Sequence, residues 1–125
     1  MAGCSELLGR LLIAAALLGG EVHQGSAPRY SPGVMEQVAR NRGLAYPACA
    51  ISSPYWPIGT RVWVYGLATD RLEHCTVIDV SHARDRARHI RTKRVAELGY
   101  DEARRLCPSL AGRPDDCPIL VVRME

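Results

Sequence analysis

Two neighbouring segments in the middle of the chain carry the pattern of a β-hairpin. Residues 61–65 are rich in Val, Trp and Tyr, and a turn segment at residues 66–70 separates them from a second extended run, residues 71–79. Both faces of the second run carry apolar residues near its end, which predicts a buried central strand. This run ends on Asp79, where a strand holds the side chain rigidly and the loop beyond can shape a cleft.

The remaining pattern predicts short elements on either side of the hairpin. An apolar stripe with one-turn spacing predicts a helix that Ser31 caps and Gly43 ends, and residues 48–51 form a candidate short strand. Residues 81–91 read as a basic, flexible loop. The further predictions are a helix over residues 92–98, a second helical turn over 101–107 and a buried closing strand over 118–124.

The N-terminal part has the pattern of a targeting segment. Residues 11–18 form an eight-residue apolar run behind Arg10, well short of the roughly 20 residues that a membrane span needs. A buried apolar helix is the alternative. We therefore expect a secretory signal segment at residues 1–27, a single domain at residues 28–125, no membrane span after signal removal, a secreted or cell-wall-associated location and a monomer.

The charge is unevenly distributed. Without Arg10, Glu6 and Glu21, the chain carries 15 basic and 11 acidic residues, a net charge of +4, and the excess lies between Arg84 and Arg94. Such a basic segment attracts polyanions, among them nucleic acid, teichoic acid and the carboxylates of cell-wall peptides, unless it is simply a solvated loop. The export signal argues against nucleic acid.

The cysteines indicate cross-links rather than a metal site. Four of them follow the apolar run, and an even number in a short exported domain predicts two disulfides. Three pairings are possible, of which we favour Cys107 with Cys117 and Cys49 with Cys75. The chain has no Cys-x-x-Cys pair, so we expect no metal and no cofactor.

The order of the motifs resembles a known group of small barrels. The chain resembles the rare-lipoprotein-A-like, expansin and barwin group in the order of its motifs. These are the segment Gly59-Thr60-Arg61-Val62-Trp63-Val64, a hairpin, the strand-ending Asp79, the pair His89-Ile90 and a segment that ends in Ala96-Glu97-Leu98-Gly99. The resemblance covers about residues 56–99. It implies a mainly β fold with short helices, a six-stranded double-psi β-barrel, which the two disulfides would stabilise. In the motif that His89 begins, Arg91 stands where the group has an Asp.

The resemblance also implies a chemistry. Active members cut or loosen cell-wall glycans, and in the lytic transglycosylases an Asp acts as acid and then as base on the glycosidic bond. Asp79 matches the strand-ending Asp and is the candidate catalytic residue. The alternative is a structural carboxylate that pairs with an arginine or caps loop amides, because nearby arginines favour the ionised form of a carboxyl group.

The candidate substrate-binding residues combine aromatic, imidazole and guanidinium groups: Tyr55, Trp56, His82, Arg86, Arg88 and His89. The aromatic pair suits stacking on a sugar ring, although covering the core is the commoner role of such side chains. The leading hypothesis is thus an exported protein that acts on peptidoglycan glycan strands. The alternatives are a noncatalytic module that binds glycan or another polyanionic polysaccharide, and a small secreted protein-binding module.

Overall fold

The computed structural model describes residues 20–108 and 117–124 and shows a mainly β fold. Six strands form one sheet that curls into a half-barrel, in the order β1-β6-β3-β4-β2-β5. The strands are β1 (Val22–Ala27), β2 (Ala50–Ser53), β3 (Arg61–Gly66), β4 (Arg71–Val80), β5 (Glu97–Leu98) and β6 (Cys117–Arg123). Three short helices within the described residues are α1 (Val34–Asn41), α2 (Ala83–Arg91) and α3 (Tyr100–Leu106).

The predicted hairpin and closing strand are confirmed, and they form the middle of the sheet. β3 lies antiparallel between β4 and β6. Alternate residues of each strand point into the half-barrel, so that Val62, Val64 and Val121 are completely buried there. Burial of several such side chains, at roughly 1.5–3 kcal/mol each, stabilises the fold.

β2 is the strand that brings distant parts of the chain together. It pairs with β4 in parallel and with β5 in the antiparallel direction, so it lies between two strands that are far apart in sequence. The sequence predicted a short strand at residues 48–51, and the structure confirms a short strand here, with the bounds Ala50–Ser53.

Backbone hydrogen bonds bring the two edges of the curled sheet together. Ser26 N donates to Lys93 O at 3.0 Å, and Leu98 N donates to Pro28 O at 2.9 Å. β1 itself pairs along its whole length with β6. The folded unit therefore includes residues 22–27, which the sequence assigned to the signal segment, and begins before the expected boundary at residue 28. The apolar run at residues 11–18 lies outside the described residues.

Two local predictions around the basic segment are wrong. Residues 83–91, expected in a flexible loop, form α2, whose first turns carry the i,i+3 ion pair between Arg88 and Asp85. Residues 92–98, expected to be helical, instead form a turn at residues 92–93 and then lead into β5. Val95, Ala96 and Leu98 are at most 1% exposed, so burial against the sheet overrides the helical spacing.

The other two helices are confirmed as α1 and α3. In α1, however, Gly33 with φ 79° occupies the N-cap, and no side chain caps the helix. Ser31 acts through its backbone instead, because its carbonyl oxygen accepts a hydrogen bond from Val34 N at 3.1 Å.

Both favoured disulfides are present. Cys49 is bonded to Cys75, which ties the start of β2 to β4, and Cys107 is bonded to Cys117, which ties the end of α3 to the start of β6. Two disulfides are compatible with an extracytoplasmic protein. Among the described residues, every helix is too short or too polar to cross a lipid bilayer.

The two disulfides should differ in their effect on stability. The Cys49–Cys75 bond spans 26 residues and the Cys107–Cys117 bond spans 10. In the chain-entropy relation, replacing the first pair by Ala lowers the free energy of unfolding by about 3.5 kcal/mol, and replacing the second lowers it by about 2.7 kcal/mol. Urea unfolding of the two double variants measures this difference, and a larger loss from the Cys107–Cys117 pair would contradict the expected order.

Gly25 offers a test of the contact between the sheet edges. A Cβ atom at this position would overlap the carbonyl oxygen of Lys93 and lie 2.9 Å from a methyl group of Val95. We expect Gly25→Ala to lower the free energy of unfolding by roughly 1–3 kcal/mol through this overpacking. The matched control is Gln24→Ala on the exposed neighbouring position of β1. Equal stability of the two variants in chemical denaturation would show that residues 93–95 do not pack on β1.

Candidate functional site

An open cleft of about 980 Å³ lies beside the ends of β2 and β4. The loop after β2 forms one wall, and the first turns of α2 form the other. Within the described residues, Asp79, Tyr55, Trp56, His82, Arg86 and His89 all contribute to its lining. Six of the seven residues proposed from the sequence are thus brought together, and the seventh, Arg88, lies outside the cleft.

Two carboxyl groups approach this cleft from strands on either side of β2. Ser52 is the register partner of Asp79 on β4 and also of Glu97 on β5. Adjacent strands lie about 4.8 Å apart, so the Cα atoms of the two acids are separated by roughly 10 Å across the sheet. Both side chains line the cleft. The sheet register therefore fixes a pair of acids that the sequence separates by 18 positions.

β2 is held in place by a buried acid from α3. Glu102 is 1% exposed, and its Oε2 atom accepts hydrogen bonds from Ala50 N at 2.6 Å and from the Tyr46 hydroxyl at 2.8 Å. Gly99 lies so close to this carboxylate that a Cβ atom there would overlap it. The start of β2 is therefore fixed by a hydrogen bond to a side chain of α3.

Three donors converge on the carboxylate of Asp79. Arg42 Nη2 donates to Oδ1 at 2.6 Å, and the Tyr30 hydroxyl donates to Oδ2 at 2.8 Å. The backbone N–H of Val80 also donates to Oδ1, at 3.0 Å. The side chain of Asp79 is 16% exposed, so one edge still faces the cleft. These contacts hold a negative charge at a defined point of the cleft wall.

Tyr30 is itself kept in the donor form. Burial raises the pKa of its phenol, and the neighbouring carboxylates of Glu97 and Asp79 raise it further, although the Ser52 hydroxyl acts in the opposite direction. A phenol that does not ionise near neutral pH remains a hydrogen-bond donor. Tyr30 is therefore a fixed donor between the two acids.

Glu97 is in a contrasting environment. Burial raises the pKa of its carboxyl group, while His89 and Arg94 lower it in part, and the charges of Asp79 and Asp85 raise it. A raised pKa keeps a larger fraction of the group protonated, as proton donation requires. The cleft thus combines a carboxylate bound to a cation with a carboxyl group that retains its proton more readily.

The two histidines of the cleft have different structural roles. His89 is 7% exposed, and its Nδ1 lies 2.8 Å from the Ser81 hydroxyl oxygen, which fixes the orientation of the ring beside Glu97. His82 occupies the N-cap of α2, where its Nδ1 accepts a hydrogen bond from Arg84 N at 3.3 Å. Among the described residues, no group of three or more His, Cys, Asp and Glu side chains is placed to hold a metal ion.

Tyr55 and Trp56 both line the cleft, and Tyr55 is the more exposed of the two rings. Trp56 is only 4% exposed and belongs to the main hydrophobic core, the role that the sequence left as its alternative. Tyr55 is partly exposed, and one face of its ring stacks on His23 with ring centroids 3.6 Å apart. Glu21 Oε2 lies 2.7 Å from His23 Nε2, and this pairing lowers the pKa of Glu21. The N-terminal strand therefore fixes the orientation of the cleft's aromatic ring.

The two arginines proposed for binding lie on different faces of α2. Arg86 lines the cleft and donates from Nε to the carbonyl oxygen of Pro54 at 2.8 Å, which fixes the guanidinium group between the two walls. Arg88 is 57% exposed and pairs instead with Asp85 at 3.2 Å.

Sequence reasoning missed Tyr30, Arg42 and Glu97. Tyr30 and Arg42 flank α1 and are separated from Asp79 by 49 and 37 positions, so no local spacing connects them to it. Glu97 did carry a signal, because it is an acid within the Ala96-Glu97-Leu98-Gly99 segment that supported the resemblance. The prediction of a helix there concealed its position on a strand.

The raised pKa of Glu97 predicts a pH-dependent effect on stability. An acid whose pKa is higher in the folded state binds more protons when folded, so its contribution to stability is lost as the pH rises from the ordinary value of 4.5 through the folded value. We therefore expect Glu97→Gln to gain stability relative to the wild type over that rise in pH. Urea unfolding of both proteins at a series of pH values measures this difference. A constant difference would contradict the raised pKa.

No protein-family model matches the chain, and no curated protein matches it. The function of the protein is therefore argued from the cleft, from Asp79 and Glu97, and from the aromatic ring of Tyr55.

Proposed function

We propose that this protein is an exported enzyme that cleaves peptidoglycan glycan strands in the manner of a lytic transglycosylase. The observation that carries the proposal is the pair of acids in one open cleft. Asp79 is bound to Arg42, whereas the pKa of Glu97 is raised by burial. Acids whose environments differ in this way are typical of sites where one carboxyl group donates a proton and the other stabilises positive charge.

The fold supports the same proposal. We propose that the six curled strands are a double-psi β-barrel of the rare-lipoprotein-A-like type. In that group an acid-containing extended segment leads directly into a helix. Here the extended segment that does so is residues 95–98, followed by α3. In this alignment Glu97, rather than Arg91 at the end of α2, stands at the position of the second motif's acid.

The reaction follows from the positions of the two acids. Glu97 donates its proton to the glycosidic oxygen as the bond from that oxygen to the sugar carbon breaks. The carboxylate of Asp79 stabilises the positive charge that develops on the sugar ring. Glu97, now ionised, accepts a proton from a hydroxyl group of the same sugar, which attacks the carbon and closes an anhydro ring. No water molecule is consumed.

The cleft walls supply the binding contacts. The exposed part of the Tyr55 ring stacks on a sugar, since His23 already covers its other face. Arg86, oriented by the Pro54 carbonyl, binds a carboxylate or an acetamido oxygen of the glycan. Both residues line the same cleft as Asp79 and Glu97, so a sugar bound by them lies beside the two acids.

A noncatalytic glycan-binding module is the second candidate. The three hydrogen bonds to Asp79 favour it, because a carboxylate bound to Arg42, Tyr30 and Val80 N is also what a purely structural pairing requires. The two candidates differ in one respect. A binding module retains sacculi without releasing products, whereas the enzyme releases anhydro-muropeptides.

The test is the release of anhydro-muropeptides from purified sacculi, measured by mass spectrometry. We expect the wild type to release them and Glu97→Gln to lose on the order of 10²–10⁴-fold in rate, the usual contribution of a general acid. Asp79→Asn should also lower the rate, since charge stabilisation is lost. The wild-type rate should fall as the pH rises through the raised pKa of Glu97, because the donor proton is lost.

The matched control is Asp101→Asn, an exposed acid at the start of α3, which should leave the rate unchanged. Full activity of Glu97→Gln would overturn the assignment of the proton donor. Absence of release at every pH, with sacculi still bound, would replace the enzyme by the binding module.

A further inference from the structure

Helix α2 has two chemically different faces. Asp85, Arg86 and His89 point into the cleft. Arg84, Arg88 and Arg91 follow one another at i, i+4 and i+7, and their exposed positions place them on the opposite side of the helix. We call these three residues the arginine stripe. With a rise of 1.5 Å per residue, their Cα atoms span roughly 10 Å along the helix axis.

The arginine stripe keeps an excess of positive charge. Asp85 is its one acidic neighbour on α2, and it lies 3.2 Å from Arg88 Nη2 and 3.9 Å from Arg84 Nε. The side chains of these arginines are 81% and 57% exposed, for Arg84 and Arg88 respectively. Exposed ion pairs of this kind contribute at most about 1 kcal/mol, so a multivalent anion can replace Asp85 as the partner.

Arg91 adds a third positive charge to the arginine stripe. The structure shows no ion pair for it within residues 20–108 and 117–124. All three cations of the stripe are arginines, whose planar groups present paired N–H donors to the oxygens of phosphate. A row of such groups on a single helix face suits a flexible chain with repeated charges better than it suits an isolated anion.

We propose that the arginine stripe is a docking site for a linear phosphodiester polymer of the cell envelope, of the poly(glycerol phosphate) type. Phosphodiester groups carry one charge each and offer two free oxygens to a guanidinium group, which the charge and geometry of the stripe complement. The stripe faces away from the cleft, so a polymer bound there leaves the glycan path open. Docking would hold the cleft next to the wall without competing for it.

The experiment measures binding of fluorescently labelled poly(glycerol phosphate) by anisotropy across a series of salt concentrations. We expect the triple variant Arg84→Gln, Arg88→Gln, Arg91→Gln to bind on the order of tenfold more weakly at low salt. The slope of log affinity against log salt should fall by about two, as expected for the loss of three contacts to a flexible polyanion. Circular dichroism verifies that α2 still forms.

The matched control removes the same charge elsewhere. Arg40, Arg61 and Arg123 are exposed and lie outside α2 and the cleft. Their triple Gln variant should retain most of the affinity. A third variant, with Lys at all three positions of the stripe, keeps the charge and removes the paired donors, so we expect intermediate affinity with an unchanged salt slope.

Equal losses in the stripe variant and in the control would overturn the proposal, because net charge alone would then explain binding. Equal binding of polyglutamate of the same charge would overturn the preference for phosphate. Tighter binding of a single-stranded DNA of the same charge would overturn the assignment to a wall polymer. The outcome is independent of the cleft, since the probe contains no glycosidic bond for it to cleave.

Discussion

The position of β2 is the constraint on which the rest of the site depends. This strand has only four residues, yet it pairs with β4 on one side and with β5 on the other. Its first N–H is bound by the buried Glu102 carboxylate, and the neighbouring Cys49 is bonded to β4. Because Ser52 is the partner of both acids, any shift of β2 along its neighbours would move Asp79 and Glu97 relative to each other. A one-residue slip would also turn every side chain of β2 to the opposite face of the sheet.

The electrostatic contrast between the two acids follows from which elements surround them. Asp79 stands at the end of a strand where Arg42, beyond the end of α1, can reach it with a side chain that is 40% exposed. Glu97 lies on a two-residue strand, and its chain neighbours Ala96 and Leu98 are buried. One carboxyl group, that of Asp79, is therefore bound to a cation, whereas the other, that of Glu97, is desolvated. Folding alone creates the difference, since the sequence around each acid contains arginines.

Much of the sheet could be predicted from the sequence, because alternating or continuous apolar runs dictate β3, β4 and β6. The pairing of the cysteines was also accessible, since Cys107 and Cys117 enclose a short loop and the other two remain. The structure of residues 81–98 could not be predicted. The many arginines hid the helical spacing of α2, and the apolar residues near Val95 fit a helix as well as a strand. Six of the residues that line the cleft were foreseen. Tyr30 and Arg42 were not, since they reach Asp79 only through the packing of α1 on the sheet.

The placement of β1 carries a consequence for maturation of the chain. From Val22 to Ala27 the backbone of β1 pairs with the edge of β6, and the His23 ring of β1 stacks on Tyr55. A peptidase that trimmed the polypeptide just ahead of Pro28 would leave β6 with a row of unpaired amides and carbonyls, the kind of bare border through which proteins aggregate. A cut ahead of Glu21 would leave β1 paired with β6. The backbone pairing of residues 22–27 thus limits where the N-terminal segment can be removed without exposing β6.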